Sequence, residues 1–146
     1  MIKKEHKIEP VDIIVVTYRR PLFIKEFIEK LEERTQYPYR LIVIDNGSDD
    51  KTKEWLLEQL HKKRIWKLTF NSKNEFLSTC FTRGLELVES RLFITTQDDL
   101  LPPATRHHWL AKMVELIDEH QDYTTISMKY LNAFWDTYIR RKKHGK

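Results

Sequence analysis

The chain has 146 residues, 40% hydrophobic and 33% charged, with one cysteine (Cys80) and three glycines (Gly47, Gly84 and Gly145). That is material for one soluble globular domain with its own core, expected to be free of wholesale disorder, of an internal disulfide or Cys-built zinc site, and of a GxGxxG or Walker A loop. The net charge of +4 is concentrated at the end, where RRKKHGK holds five Lys and Arg and no acid, so the body is near neutral and is not expected to bind nucleic acid.

No apolar run approaches the roughly 18 residues of a membrane span. The opening MIKKEHKIEP lacks the apolar stretch of a secretory signal. With a single cysteine, this predicts a reducing, cytoplasmic setting.

Hydrophobic periodicity then alternates between short apolar runs and helical stripes. DIIVV, Asp12 to Val16, predicts a strand buried on both faces. Pro21 to Arg34 predicts a helix with Phe23, Ile24, Phe27, Ile28 and Leu31 on one side and Pro21 in its first turn. Leu41 to Ile44 is the second strand. Ser48 or Asp49 can cap a helix through about Lys62, buried by Trp55, Leu56 and Leu60. Ile65 to Phe70 predicts a third strand, Leu77 to Val88 a third helix, Leu92 to Thr96 a fourth strand, and Pro103 to Glu119 a fourth helix. Thr124 to Met128 reads as a fifth strand, and Tyr130 to Arg141 as a terminal helix. The alternation predicts an α/β fold with a mostly parallel central sheet and helices on both faces.

In open parallel sheets, ligands bind beyond the carboxyl ends of the strands. Polar residues collect there: Thr17-Tyr18-Arg19-Arg20 after strand one, Asp45-Asn46-Gly47-Ser48-Asp49-Asp50 after strand two, and Thr96-Gln97-Asp98-Asp99 after strand four. The opposite ends show Arg40 and Arg91, read as sheet-edge charges. Adjacent carboxylates such as Asp98 and Asp99 repel unless solvated or metal-bound. They read either as a solvated turn or as ligands of Mg²⁺ or Mn²⁺, which take one or two carboxylates and complete their shell with water and phosphate oxygens. Ser48 or Asp49 is a good cap and Asp50 is favourable at the positive end of the helix, but capping alone does not require Asp45, whose carboxylate could accept hydrogen bonds from a base or ribose. Tyr18 either plugs the sheet edge or stacks on a base; Arg19 and Arg20 are either surface charges or face phosphate.

Three segments, VDIIVVTYRRP, LIVIDNGSDDKT and NSKNEFLSTCFTRGLELVESRLFITTQDDLLPP, together resemble the nucleotide-binding half of family 2 glycosyltransferases, which have the GT-A (Rossmann-like) fold. The match runs from Val11 to Pro103 in order and at normal spacing. The resemblance implies a nucleotide-diphosphate-sugar donor (UDP, dTDP or GDP type) and a divalent metal, Mn²⁺ or Mg²⁺. By the same resemblance Thr17, Tyr18 and Arg19 lie beside base and ribose, Asp45 and Asn46 bind the base, Asn74 and Arg83 face nucleotide or donor sugar, Asp98 sits near the ribose and metal, and Asp99 ligates the metal. This sequence has Arg19 where the family usually has Asn, Asn46 in place of the second base-binding Asp, Thr96 and Gln97 before the final acidic pair, Phe76 where Gly is common, and Thr82 where Asn is common.

The implied organisation is an N-terminal extension (1–10), a nucleotide-sugar-binding α/β domain (11–129), and a C-terminal helix with a basic tail (130–146), a short version of the fold. The family's inverting chemistry uses an Asp or Glu base. Past Pro103 the acids are Glu115, Asp118, Glu119, Asp122 and Asp136; none aligns with that base, and Asp136 is the nearest candidate. His107, His108 and His120, near Glu115 and Glu119, lack the spacing of a helical metal pair and read as surface residues. Tyr130, Phe134, Trp135 and Tyr138 before the basic tail either pack on the sheet or make a peripheral contact with an anionic membrane face. An incomplete fold would expose apolar surface and favour self-association. Besides a metal-dependent transferase, the residues leave open a non-catalytic nucleotide-sugar-binding module completed by a partner, or an α/β interaction domain with acidic loops.

Overall fold

Register explains why the polar strand ends meet. The computed structural model describes residues 8–104, 108–131 and 134–141. Its elements run β1 (Val11–Thr17), α1 (Pro21–Arg34), β2 (Tyr39–Asp45), α2 (Asp50–His61), β3 (Lys67–Phe70), α3 (Leu77–Leu85), β4 (Phe93–Gln97), α4 (Trp109–Glu119), β5 (Tyr123–Leu131) and β6 (Phe134–Arg141). The first four strands form a parallel sheet in the order β3-β2-β1-β4. Thr17 pairs with Asp45, Val16 with Gln97, and Asp45 with Phe70. β1, β2 and β3 therefore terminate at one level with β4 one residue short of it, and the first residues beyond these strands are neighbours.

The chain divides into two compact units, Met1–Glu33 with Pro38–Leu101, and Arg34–Tyr37 with Pro102–Lys146. In the first, β1 is buried along its whole length, as its unbroken apolar run requires. Ile14, Val16, Ile42 and Ile44 form a core cluster with Cys80 of α3, with Trp66, Phe81, Leu87 and Val88 packed against it. By the two-residue alternation of a strand, Ile13, Val15, Leu41 and Val43 point to the other face and are equally buried. In α1 the stripe Ile24, Phe27, Ile28 and Leu31 is buried, each such side chain stabilising the fold by roughly 1.5–3 kcal/mol. Gly84 lets α3 lie close to β1: a Cβ there would collide with the Ile14 side chain. Asp49 caps α2, its carboxylate accepting from the Thr52 N–H at 2.9 Å.

At the far end of the sheet Arg40, expected as an edge charge, is instead one half of an ion pair. Asp12 faces Arg40 across β1 and β2. Its fully buried carboxylate accepts from Arg40 Nε at 2.7 Å and Nη2 at 3.0 Å, and from the N–H groups of Glu89 and Ser90 at 2.8 and 3.0 Å. Burial alone would raise the Asp12 pKa, but these hydrogen bonds outweigh it and hold the carboxyl below the usual range. The Arg40 guanidinium also covers the Trp66 ring, 3.9 Å from its centroid.

In the second unit, Trp109 of α4 is buried and donates from Nε1 to Thr35 Oγ1 at 3.1 Å, and Arg34 Nη1 donates to the Pro102 carbonyl at 2.8 Å. The fifth strand is present, longer than the sequence suggests, and pairs antiparallel with β6. One expectation is corrected here. The expected C-terminal helix from Tyr130 to Arg141 is instead the end of β5 followed by β6. Helix α4 is seen from Trp109, with residues 105–107 outside the described set, and α3 stops at Leu85 rather than Val88. The first seven residues and the tail from 142 also lie outside it, including most of the basic segment expected at a membrane face. No helix among the described residues is long and apolar enough to cross a membrane.

Candidate functional site

Two side-chain clusters form where the strands end. In the first, the Thr17 hydroxyl donates to Asp98 Oδ2 at 2.7 Å. Asp98 is 3% exposed. Burial pushes its carboxyl above the usual range, adjacent Asp99 adds to this, and the Thr17 hydroxyl and the Arg20 charge pull the other way. Arg20 Nη1 lies 3.0 Å from Asp99 Oδ2 and 3.6 Å from Asp98 Oδ1. Asp98 and Asp99 thus share one arginine.

The second cluster is an amide network around Asn46. Its Nδ2 donates to Asn74 Oδ1 at 2.8 Å and to the Glu75 carbonyl at 3.0 Å. Its Oδ1 accepts from Asn71 Nδ2 and the Glu75 N–H, both at 2.9 Å. Both donors and both acceptor positions of the amide are in use. Arg83 donates from Nη1 to Asn71 Oδ1 and pairs with Glu75 at 2.8 Å. Asn46, Asn74 and Arg83 therefore share one network, with Asn46 as its centre.

Asp45 lies between the clusters. Its Oδ2 accepts from the Ser48 N–H at 3.0 Å, while its Oδ1 is buried with no hydrogen-bond partner among the described residues. Such an atom costs free energy unless a ligand or water satisfies it. Gly47 turns the chain beside it at φ +86, and a Cβ there would stand 2.7 Å from the Lys73 carbonyl carbon, so the β2 and β3 loops touch main chain to main chain. Ser48 is buried and its Oγ accepts from the Arg19 N–H at 2.9 Å. That bond holds Arg19 at φ +52, an uncommon conformation for a side-chain-bearing residue. The Arg19 guanidinium lies over the Tyr18 ring, 5.3 Å from its centroid.

The sequence reading did not place Ser48, Asn71 or Glu75 in the site. Asn71 carried a signal: it is the first residue beyond β3, as Asn46 is beyond β2 and Asp98 beyond β4. Of the acids considered as a catalytic base, Glu115, Asp118 and Glu119 are exposed on α4, where Glu115 pairs with Lys112 at 2.8 Å. Asp122 is exposed, and Asp136 lies on β6, where side chains are outside the described set.

The family model for glycosyl transferase family 2 matches residues 12–145. The chain belongs to that family. Hyaluronan synthase of Pasteurella multocida is 28% identical over 117 residues, which is 78% of this chain but only 12% of that protein. Among solved structures, S. aureus TarS 1-349 in complex with UDP-GlcNAc superposes with a TM-score of 0.68 at 22% identity, covering 86% of this chain and 36% of that one. The mannosyltransferase PcManGT from Pyrobaculum calidifontis, in complex with GDP-Man and Mn2+, gives 0.62 at 23%, covering 79% and 36%. The chain spans about a third or less of these proteins' lengths. The fold is the GT-A-like α/β architecture of these glycosyltransferases.

For this family 2 chain the donor set suits a hard divalent cation. Asp98 and Asp99 present two carboxylates at the end of one strand, and Asp99 is 41% exposed, open to solvent on one side. Among the described residues no group of three or more His, Cys, Asp or Glu converges. A cation here would therefore complete its shell with water and phosphate oxygens, as Mg²⁺ and Mn²⁺ commonly do.

Proposed function

We propose that this chain forms the donor-binding part of a glycosyltransferase that moves a sugar from a nucleotide diphosphate to an acceptor with the help of Mn²⁺ or Mg²⁺. The observation that carries this is the buried Asp45 Oδ1, without a hydrogen-bond partner among the described residues, at the strand end beside the Thr17–Asp98 pair. A base with a ring N–H beside a carbonyl, as in uracil, thymine or guanine, would satisfy that oxygen. This supports donors of UDP, dTDP or GDP type, and relatives of this fold are described with UDP-GlcNAc and GDP-Man.

In this reading Asp45 receives the base. Tyr18 and Arg19 form one wall beside base and ribose, and Thr17 orients Asp98 toward the ribose and the cation. Asp98 and Asp99 hold the cation, which when bound neutralises charge on the departing diphosphate. Asn46 acts by fixing the loops through Asn71, Asn74 and Glu75, while Arg83, 38% exposed, also presents charge toward the donor.

Calorimetric titration of UDP, dTDP and GDP, with and without Mn²⁺, on the wild type and Asp99→Ala tests the reading. Binding that requires metal and is lost in Asp99→Ala is the expected result. Failure of all three nucleotides to bind a folded wild-type chain would sink it. Release of sugar from the matching nucleotide sugar then separates a transferase from a module that only holds its donor.

A further inference from the structure

The residue this reading leaves without a role is Arg20, and its position is specific. One nitrogen, Nη1, sits between carboxylate oxygens of two different residues, 3.0 Å from Asp99 Oδ2 and 3.6 Å from Asp98 Oδ1. A divalent cation held by these carboxylates would compete with that nitrogen for the same oxygens. The backbone around Arg20 is held: its carbonyl accepts from the Ile24 N–H at 3.1 Å as α1 begins, and the Arg19 N–H is bound by Ser48. The Arg20 side chain is 48% exposed, and its guanidinium lies 5.4 Å from the Phe23 ring centroid. It can leave the carboxylates by turning its own side-chain bonds while the loop stays in place.

We infer that Arg20 is an exchangeable counter-ion of the Asp98–Asp99 pair, holding the two carboxylates until a divalent cation replaces it and then pairing with the donor's diphosphate. The inference rests on the donor-site reading above and adds to it an order of events. Before the diphosphate arrives, metal must displace a charge-assisted pair and leave Arg20 without a partner. Once the diphosphate is present, a planar guanidinium finds oxygens it can meet through two N–H groups. Metal and nucleotide then each raise the other's affinity by the same factor, as linkage requires, and Arg20 contributes to that factor.

Manganese binding followed by the electron paramagnetic resonance signal of free Mn²⁺ tests this on the wild type, Arg20→Ala and Asp99→Ala, each alone and with saturating UDP, GDP or dTDP. Circular dichroism establishes that each variant is folded. The expected result is a change of sign: Arg20→Ala binds Mn²⁺ alone roughly fivefold more tightly, yet binds nucleotide in the presence of Mn²⁺ roughly tenfold more weakly. If Arg20→Ala leaves Mn²⁺ affinity unchanged or weaker while Asp99→Ala loses the metal, the donor site stands and the counter-ion role is overturned. If the folded wild type and Arg20→Ala both fail to bind Mn²⁺ under every condition, the metal reading and this inference fall together.

Discussion

Thr17 and Asp98 lie 81 residues apart in the chain and are joined by a 2.7 Å hydrogen bond from hydroxyl to buried carboxylate. The bond exists because β1 and β4 are parallel neighbours whose last paired residues, Val16 and Gln97, place the next two side by side. It ties the strand-one motif to the acidic motif within the fold itself, before any ligand is considered.

Asp98→Asn is expected to stabilise the fold and impair the site. The Asp98 pKa is raised in the folded state, chiefly by burial, so the charged form destabilises the folded chain above that pKa. Stability rises as pH falls through the raised value toward the unfolded one and is level below it. The Asn variant keeps an acceptor for Thr17 and lacks the charge. Urea unfolding at neutral pH should show a gain of roughly 0.5–1 kcal/mol that closes on acidification, together with loss of metal-dependent nucleotide binding. A loss of stability at neutral pH would show that the carboxylate is structurally required.

Asn46→Asp restores the acid common at this position in the family, and is expected to be harmful here. The carboxylate would keep the two bonds accepted from Asn71 and Glu75 but would face Asn74 Oδ1 and the Glu75 carbonyl with no proton to donate. Two acceptors left opposite a negative charge should cost about 2–3 kcal/mol, read as a lowered urea midpoint with an unchanged slope. An undiminished midpoint would mean that the network rearranges freely.

Acid sensitivity should trace to Asp12. Its folded-state pKa is depressed, so its contribution is complete above the unfolded value near ~3.9 and is lost as pH falls through the lower folded value. Removing the partner in Arg40→Leu leaves a fully buried carboxylate without its cation and should cost about 3 kcal/mol at neutral pH. The pH slope near 4 should also invert, since the orphaned carboxyl is now relieved by protonation. Urea midpoints from pH 3 to 7 for both chains check the loss and the change of slope.

Strands β1 and β2 and helices α1 to α3 were legible because each carries an unbroken apolar run or a one-sided stripe, and these patterns have few other uses in a chain this size. The strand-end acids were legible from their position alone. The Asp12–Arg40 pair was not: Asp12 opens an apolar run, and only the register sets it opposite a residue 28 positions later. The β5–β6 pairing was hidden because Tyr130, Phe134 and Tyr138 fall at helical spacing, and the two residues between the strands are Asn132 and Ala133, without the glycine that marks a tight hairpin. Arg19 read as a charge beside phosphate, whereas its left-handed backbone, a conformation asparagine adopts more readily, is a matter of chain path that residue chemistry does not announce.

Gly47 gives the end of β2 a boundary written in main chain. Because the Lys73–Asn74 peptide passes so close that any side chain at 47 would strike it, that stretch of wall has the same shape whatever side chain position 73 carries. Lys73 is exposed, so a change of its size or charge leaves the main-chain path at this strand end unaltered.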